Sequence, residues 1–170
     1  SIIEANIAGQ KTDASIREQV DHQVEIAEDG TMTDTVTLTR THDAVKGELF
    51  KGANNVSYLR VYVPLGSRLL DADGFEAPSS SLFEAPLPDD LPDADVTRLV
   101  KDVESPVSSV AVTNEFGRTA FGGWIQLRPG ETRVTRFRYV LPFTAFDVAE
   151  RTGEGQRTNA GAPIRAAYLL

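Results

Sequence analysis

Two histidines, 25 acidic side chains and no cysteine set the chemistry open to this chain of 170 residues. The absence of cysteine removes thiolate nucleophiles, thiolate zinc sites and disulfide redox chemistry. Imidazole is the usual general base near neutral pH, so His22 and His42 come first. Whether they can cooperate depends on the strands that carry them. Ile16, Val20, His22, Val24 and Ile26 share one parity, and Met32, Val36 and Leu38 share another in the next segment, as in two half-buried strands. Glu28-Asp29-Gly30 lies between them. A two-residue Asp-Gly loop would set Val24 opposite Thr35 and send the two apolar sets to opposite faces. A three-residue loop with Gly30 in a left-handed bulge position sets Ile26 opposite Met32 and Val20 opposite Leu38, and is preferred. His22 then faces Val36 and His42 faces Ile16, about six residues or roughly 20 Å apart along the ladder. They cannot form a dyad, and each reads as a structural histidine.

The acids are numerous but do not converge. Asp71-Ala72-Asp73-Gly74-Phe75-Glu76 has the look of a calcium loop, yet counting from the glycine puts Leu69 and Ser80 where the first and last acidic ligands belong. Asp89, Asp90, Asp93 and Asp95 form a second acidic group. Solvated turns and helix capping account for both groups, so neither a metal nor a cofactor is expected. A glycosidase pair needs two carboxylates at a defined separation, which spacing along the chain does not reveal. Ser79, Ser80 and Ser81 lack the glycine elbow of a nucleophile. Phe121-Gly122-Gly123-Trp124 sits within a strand pattern, where glycine marks a bulge or a close approach rather than a phosphate loop. Asn55-Val56-Ser57 fits a glycosylation sequon. No catalytic residue is singled out, and no enzyme is expected.

One set of side chains suits binding. Tyr58, Arg60 and Tyr62 alternate against Leu59, Val61 and Val63, while Arg136 and Arg138 alternate with Phe137 and Tyr139. If the two strands are neighbours, Tyr58, Arg60, Tyr62, Arg136 and Arg138 make a basic, aromatic patch that could stack on sugars or meet an acidic partner. The competing reading pairs the arginines with Glu18, Asp21 and Glu25 on adjacent strands.

The elements that must position these residues are mostly β. Further strands are expected at Val56 to Pro64, Arg68 to Ala72, Val107 to Thr113, Arg118 to Leu127 and Thr132 to Leu141, with a type II turn at Arg128-Pro129-Gly130-Glu131. Residues 75–106, rich in Pro, Ser and acid, read as a surface excursion too poor in apolar residues for its own core. Within it, Asp93 or Asp95 can cap a short docked helix carrying Val96, Leu99, Val100 and Val103 at i, i+3, i+4 and i+7. Residues 145–163 read as a long polar loop, and Ala166 to Leu170 as a last strand that the chain ends inside or just after. The expected fold is mainly β, a single antiparallel Ig-like β-sandwich with one short helix in a long acidic insertion.

The formal charge of −8 repels nucleic acid, and no nucleic-acid partner is expected. No apolar run approaches the ~18 residues of a membrane helix, so no membrane insertion is expected of this segment.

Glu4-Ala5-Asn6-Ile7-Ala8-Gly9-Gln10-Lys11, the strand from Tyr58 to Ser67, Gly117 to Gly123, Leu127 to Glu131 and Tyr139-Val140-Leu141-Pro142 together resemble the C-terminal part of domain-of-unknown-function family 4012, found in membrane-anchored bacterial proteins. The resemblance runs from the first residues to about Leu141 and is weakest over 75–106. It implies an extracytoplasmic, cell-surface location and a membrane anchor in a missing upstream region, and it transfers no catalytic residues. The expected function is a non-catalytic domain that binds an envelope polysaccharide or protein. A structural spacer or assembly domain, and a carboxylate-dependent enzyme acting on envelope carbohydrate, are the alternatives.

Overall fold

A computed structural model describes residues 1–7 and 11–147. The strand proposed at Ala166 to Leu170, and the 145–163 loop from residue 148 onward, lie outside the described residues. In chain order the described strands are β1 (Ile2–Asn6), β2 (Ile16–Ile26), β3 (Thr31–His42), β4 (Asn55–Pro64), β5 (Arg68–Asp73), β6 (Val100–Val103), β7 (Val110–Glu115), β8 (Arg118–Leu127) and β9 (Thr132–Thr144), and a short helix, α1 (Ala94–Leu99), precedes β6. They form a five-stranded sheet in the order β1-β4-β8-β7-β6 and a four-stranded sheet in the order β2-β3-β9-β5. Every pairing is antiparallel.

The two sheets enclose one core. Leu59, Val61, Phe121, Ile125 and Leu127 come from the first sheet and Val36, Leu38, Leu69, Phe137 and Tyr139 from the second. Phe121 meets both Phe137 and Tyr139 with ring centroids 6.1 and 5.3 Å apart. Period-two alternation is the reason these residues share an interior, because successive strand side chains point to opposite faces. On β3 the alternation is complete: Thr31, Thr33, Thr35, Thr37, Thr39 and Thr41 occupy the outer parity and stay partly exposed. A β-branched, hydroxylated side chain suits such a half-wet face.

The β2–β3 hairpin has the expected three-residue loop. Ile26 pairs with Met32 and Val20 with Leu38, and Gly30 takes φ 81°. Gly130 takes the same φ in the β8–β9 turn, closed by the Glu131 amide donating to the Arg128 carbonyl at 2.9 Å.

The 75–106 segment differs from its expectation at both ends. Phe75 leaves the surface to pack on Phe137, with centroids 4.8 Å apart. Asp93 does cap α1, accepting from the amides of Asp95 and Val96, but the helix stops at Leu99. Val100–Val103 continue as edge strand β6 against β7. Val96, Leu99 and Val103 remain exposed, so the short helix is not docked. Two β-branched residues and an unpaired β7 edge outcompete one further helical turn.

Candidate functional site

The five-stranded sheet carries the candidate site on its outer face. With Leu59, Val61 and Val63 buried, β4 turns Tyr58, Arg60 and Tyr62 outward, as alternation requires. Register then brings Trp124 of β8 opposite Tyr58, Gly122 opposite Arg60 and Ala120 opposite Tyr62. On the other side β1 sets Ala5 beside Tyr58 and Ile3 beside Arg60. Ile3, Ala5, Tyr58, Arg60 and Trp124 line a depression of about 390 Å³.

The Tyr58 ring that lines it is placed by a small residue. A Cβ on Gly122 would stand 2.5 Å from the Tyr58 hydroxyl, so glycine there is what lets the phenol ring lie down across β8. Gly123, on the inner face, likewise makes room for the Phe75 ring. The paired glycines are therefore close approaches, and β4 and β8 stay in register across them without a bulge. The Trp124 indole is held edge-on by Tyr58 at 4.8 Å and is flanked by Phe83 at 5.4 Å, both centroid distances. Arg60 lies 5.3 Å over the Tyr58 ring, and Glu115 stands 3.9 Å from its guanidinium. A hydrogen bond with Tyr62 raises the Arg60 pKa further, while burial raises that of Tyr58. Both side chains thus keep their ordinary charge at neutral pH: one fixed cation among three rings.

Arg136 and Arg138 do not join this site. They sit on β9, in the other sheet, and face the opposite side of the molecule. Arg136 pairs with Asp73 and Arg138 with Glu25 at 3.5 Å, so cross-strand pairing claims them. Outward parity is a property of each strand alone, whereas which two strands become neighbours is decided by topology. The proposed five-residue patch therefore separates into Tyr58, Arg60 and Tyr62 on one face and the two arginines on the other. Trp124 was missed, although Phe121, Ile125 and Leu127 pointing inward already place it outward.

The histidines are separate, as the hairpin register requires. The fully buried His42 donates from Nε2 to the Ala53 carbonyl at 2.9 Å and accepts at Nδ1 from the Ala44 amide at 3.3 Å. Both ring nitrogens are committed to the main chain. His22 donates from Nε2 to the buried Asp34 at 3.0 Å, which raises its pKa. Burial raises the Tyr139 phenol, and the negative charge of nearby Asp34 adds to the shift.

The core is less aliphatic than its alternation suggests, because Asp34, Arg40 and His42 share the inner parity of Val36 and Leu38. Arg40 reaches from β3 to Glu4 of β1 at 2.6 Å and to Glu18 of β2 at 3.2 Å, an ionic link between the sheets. Burial, then a hydrogen bond from Glu18, pushes Glu4 up to about 7, while Arg40 opposes the shift. Glu4 and Glu18 close on the same guanidinium, whereas glycoside hydrolysis needs carboxylates ~5 Å or more apart with the sugar between them.

Members of the second acidic group have structural partners. Asp90 accepts from the Leu87 amide, and Asp95 binds Arg98. Among the described residues no three His, Asp or Glu side chains gather as a metal site. Asn55, read as a glycosylation acceptor, is fully buried and donates to Asp13 at 2.7 Å and Thr12 at 3.0 Å while accepting from Ser57 at 2.9 Å. It is an internal tie between β4 and the turn at Thr12–Ser15. No family model matches the chain, and neither curated proteins nor solved structures provide a match.

Proposed function

We propose that this chain is a non-catalytic, Ig-like binding domain, extracytoplasmic in bacteria, that holds an envelope polysaccharide on the Tyr58–Trp124 face. The depression of about 390 Å³ over β1, β4 and β8 carries this reading. Its walls are aromatic and aliphatic, from Tyr58, Trp124, Ile3 and Ala5, and one arginine, Arg60, completes its lining. Pyranose rings present apolar C–H faces that stack on aromatic rings, and a guanidinium supplies several fixed donors to hydroxyls or carboxylates. Arg60 stays partly exposed and only 3.9 Å from Glu115, so exposed rings and a cation come together on this face. The resemblance to the membrane-anchored family supports the envelope setting.

Glycan arrays and pull-down on isolated cell walls test the reading. Binding with a Kd below about 1 mM is expected, and Tyr58→Ala with Trp124→Ala should weaken it by roughly tenfold or more, as loss of stacking rings does. Arg136→Ala with Arg138→Ala should leave it unchanged. No retention on any envelope glycan, or equal loss from the β9 arginine variant, rejects the assignment.

A further inference from the structure

The β3–β4 connection, residues 43–54, spends apolar surface on solvent. Val45, Leu49 and Phe50 are 73%, 77% and 63% exposed, three of six consecutive residues. Their exposure is built in. The loop folds on itself through the Glu48 amide donating to the Val45 carbonyl at 3.0 Å, Gly47 to Gly52 at 3.2 Å and Gly52 to Glu48 at 2.8 Å. At Gly52 a Cβ would strike this backbone, so the turn accepts only glycine there. Phe50 is held at φ 65°, a conformation that a bulky L side chain adopts rarely and at a cost. The neck is closed by His42, whose two nitrogens bond Ala44 on one side and Ala53 on the other. A buried imidazole is thus spent on fixing a loop whose crown faces outward and apolar.

We infer that this crown docks into the interfacial region of a phospholipid bilayer, and that His42 holds it in shape for that purpose. The crown is small: its three exposed apolar side chains come from one loop, and a Cβ on Gly47 would meet only open space. A stable protein partner needs about 800 Å² of surface per side, more than such a tip offers, whereas a fluid interface accommodates a small wedge. The charges fit the same partner. Lys46 lies between Val45 and Leu49 and Lys51 follows Phe50, on stems long enough to bring ammonium groups to lipid phosphates, and Lys46 has no ion-pair partner among the described residues. Asp43 is neutralised by Arg17 at 2.9 Å and Glu48 faces Lys51 at 3.8 Å. The whole-chain charge of −8 opposes long-range attraction to anionic lipid, so insertion of the apolar crown leads and the lysines contribute at short range. No described helix is long and apolar enough to cross a membrane, and contact at the interface needs none.

Co-sedimentation of the full chain with sucrose-loaded vesicles tests the assignment, using phosphatidylcholine alone and phosphatidylcholine with a minority of phosphatidylglycerol. The wild type is expected to sediment with both at lipid concentrations up to about millimolar, the range of weak interfacial wedges. Leu49→Ser with Phe50→Asn should lower partitioning roughly tenfold with an unchanged melting curve, since both side chains are exposed and Asn tolerates the Phe50 backbone. Val45→Ser gives a second reading should that variant melt early. Lys46→Glu with Lys51→Glu should lower it a few-fold, and Tyr58→Ala with Trp124→Ala not at all. Wild-type sedimentation no greater than without lipid overturns the inference. So does sedimentation velocity showing a dimer that the Leu49 and Phe50 substitutions dissolve, because the crown would then serve a second copy.

Discussion

At the scale of single residues, the most informative group is Glu4, whose carboxyl is partly shielded from water on the Arg40 guanidinium and pushed up to about 7. A carboxyl whose folded pKa exceeds its unfolded value stabilises the fold below the unfolded pKa, and that stabilisation is lost as pH rises through the folded one. Glu4 therefore contributes fully below about pH 4.5 and loses its contribution between about 4.5 and 7, a change on the order of 1–2 kcal/mol once partial exposure is allowed for. Gln imitates the protonated acid. Urea denaturation of Glu4→Gln should match the wild type at pH 5 and equal or exceed it at pH 8; a variant weaker by the same amount at both pH values would show that Glu4 acts only as Arg40's counter-ion. Arg40 is the complementary case. Arg40→Ala leaves two adjoining carboxylates between the sheets without their cation, and about 3–5 kcal/mol of stability should be lost in the same assay at pH 8. Neither interaction was visible in the chain, since residues 4, 18 and 40 meet only after three strands pack.

Elements show where local signals suffice and where they compete. The β7–β8 turn has Phe116 at φ 51° and Gly117 at φ 70°, the two left-handed positions of a type I′ hairpin, which favours Asn-Gly. Phe116 is exposed and gains little in return. Phe116→Asn should raise stability by roughly 0.5–1 kcal/mol, read as a higher melting temperature. In the partner strand, Gly123→Ala pushes a methyl into the Phe75 ring; overpacking of this kind costs about 1–3 kcal/mol, measurable by denaturant titration. The β2–β3 hairpin was legible down to its register because an Asp-Gly loop and two apolar parities must agree. The α1–β6 segment was not: its 3.6-residue apolar spacing is also compatible with a strand, and the free edge of β7, which the chain does not advertise, settles the choice. β2 forms the outer edge of its sheet and carries Glu18 and His22 on its inner face, inward charges that discourage pairing with another chain.

For the whole molecule, these groups combine into one pH profile. The raised Glu4 and His22 both lose stabilising protons as pH rises toward and past neutrality. Glu76, lowered chiefly by its hydrogen bond to Arg128, loses its contribution as pH falls below the ordinary carboxylate range. Thermal stability should therefore peak near pH 5 and decline toward pH 8, checked by calorimetry across that range; a maximum at or above pH 8 would contradict the ionic arrangement between the sheets. What the chain specifies unaided is alternation: which residues of each strand face in or out, the hairpin loop and turn, a helix cap at Asp93 or Asp95, and the outward Tyr58, Arg60 and Tyr62. Those are set by bond geometry within a few residues. Strand order is set by packing across the whole chain, and it alone brought Trp124 beside Tyr58, sent Arg136 and Arg138 to the far side, joined Glu4, Glu18 and Arg40, and put His42 at the neck of an apolar loop. Side-chain direction repeats every two residues and can be counted; adjacency in space follows from how two sheets bury one core, which no local period encodes.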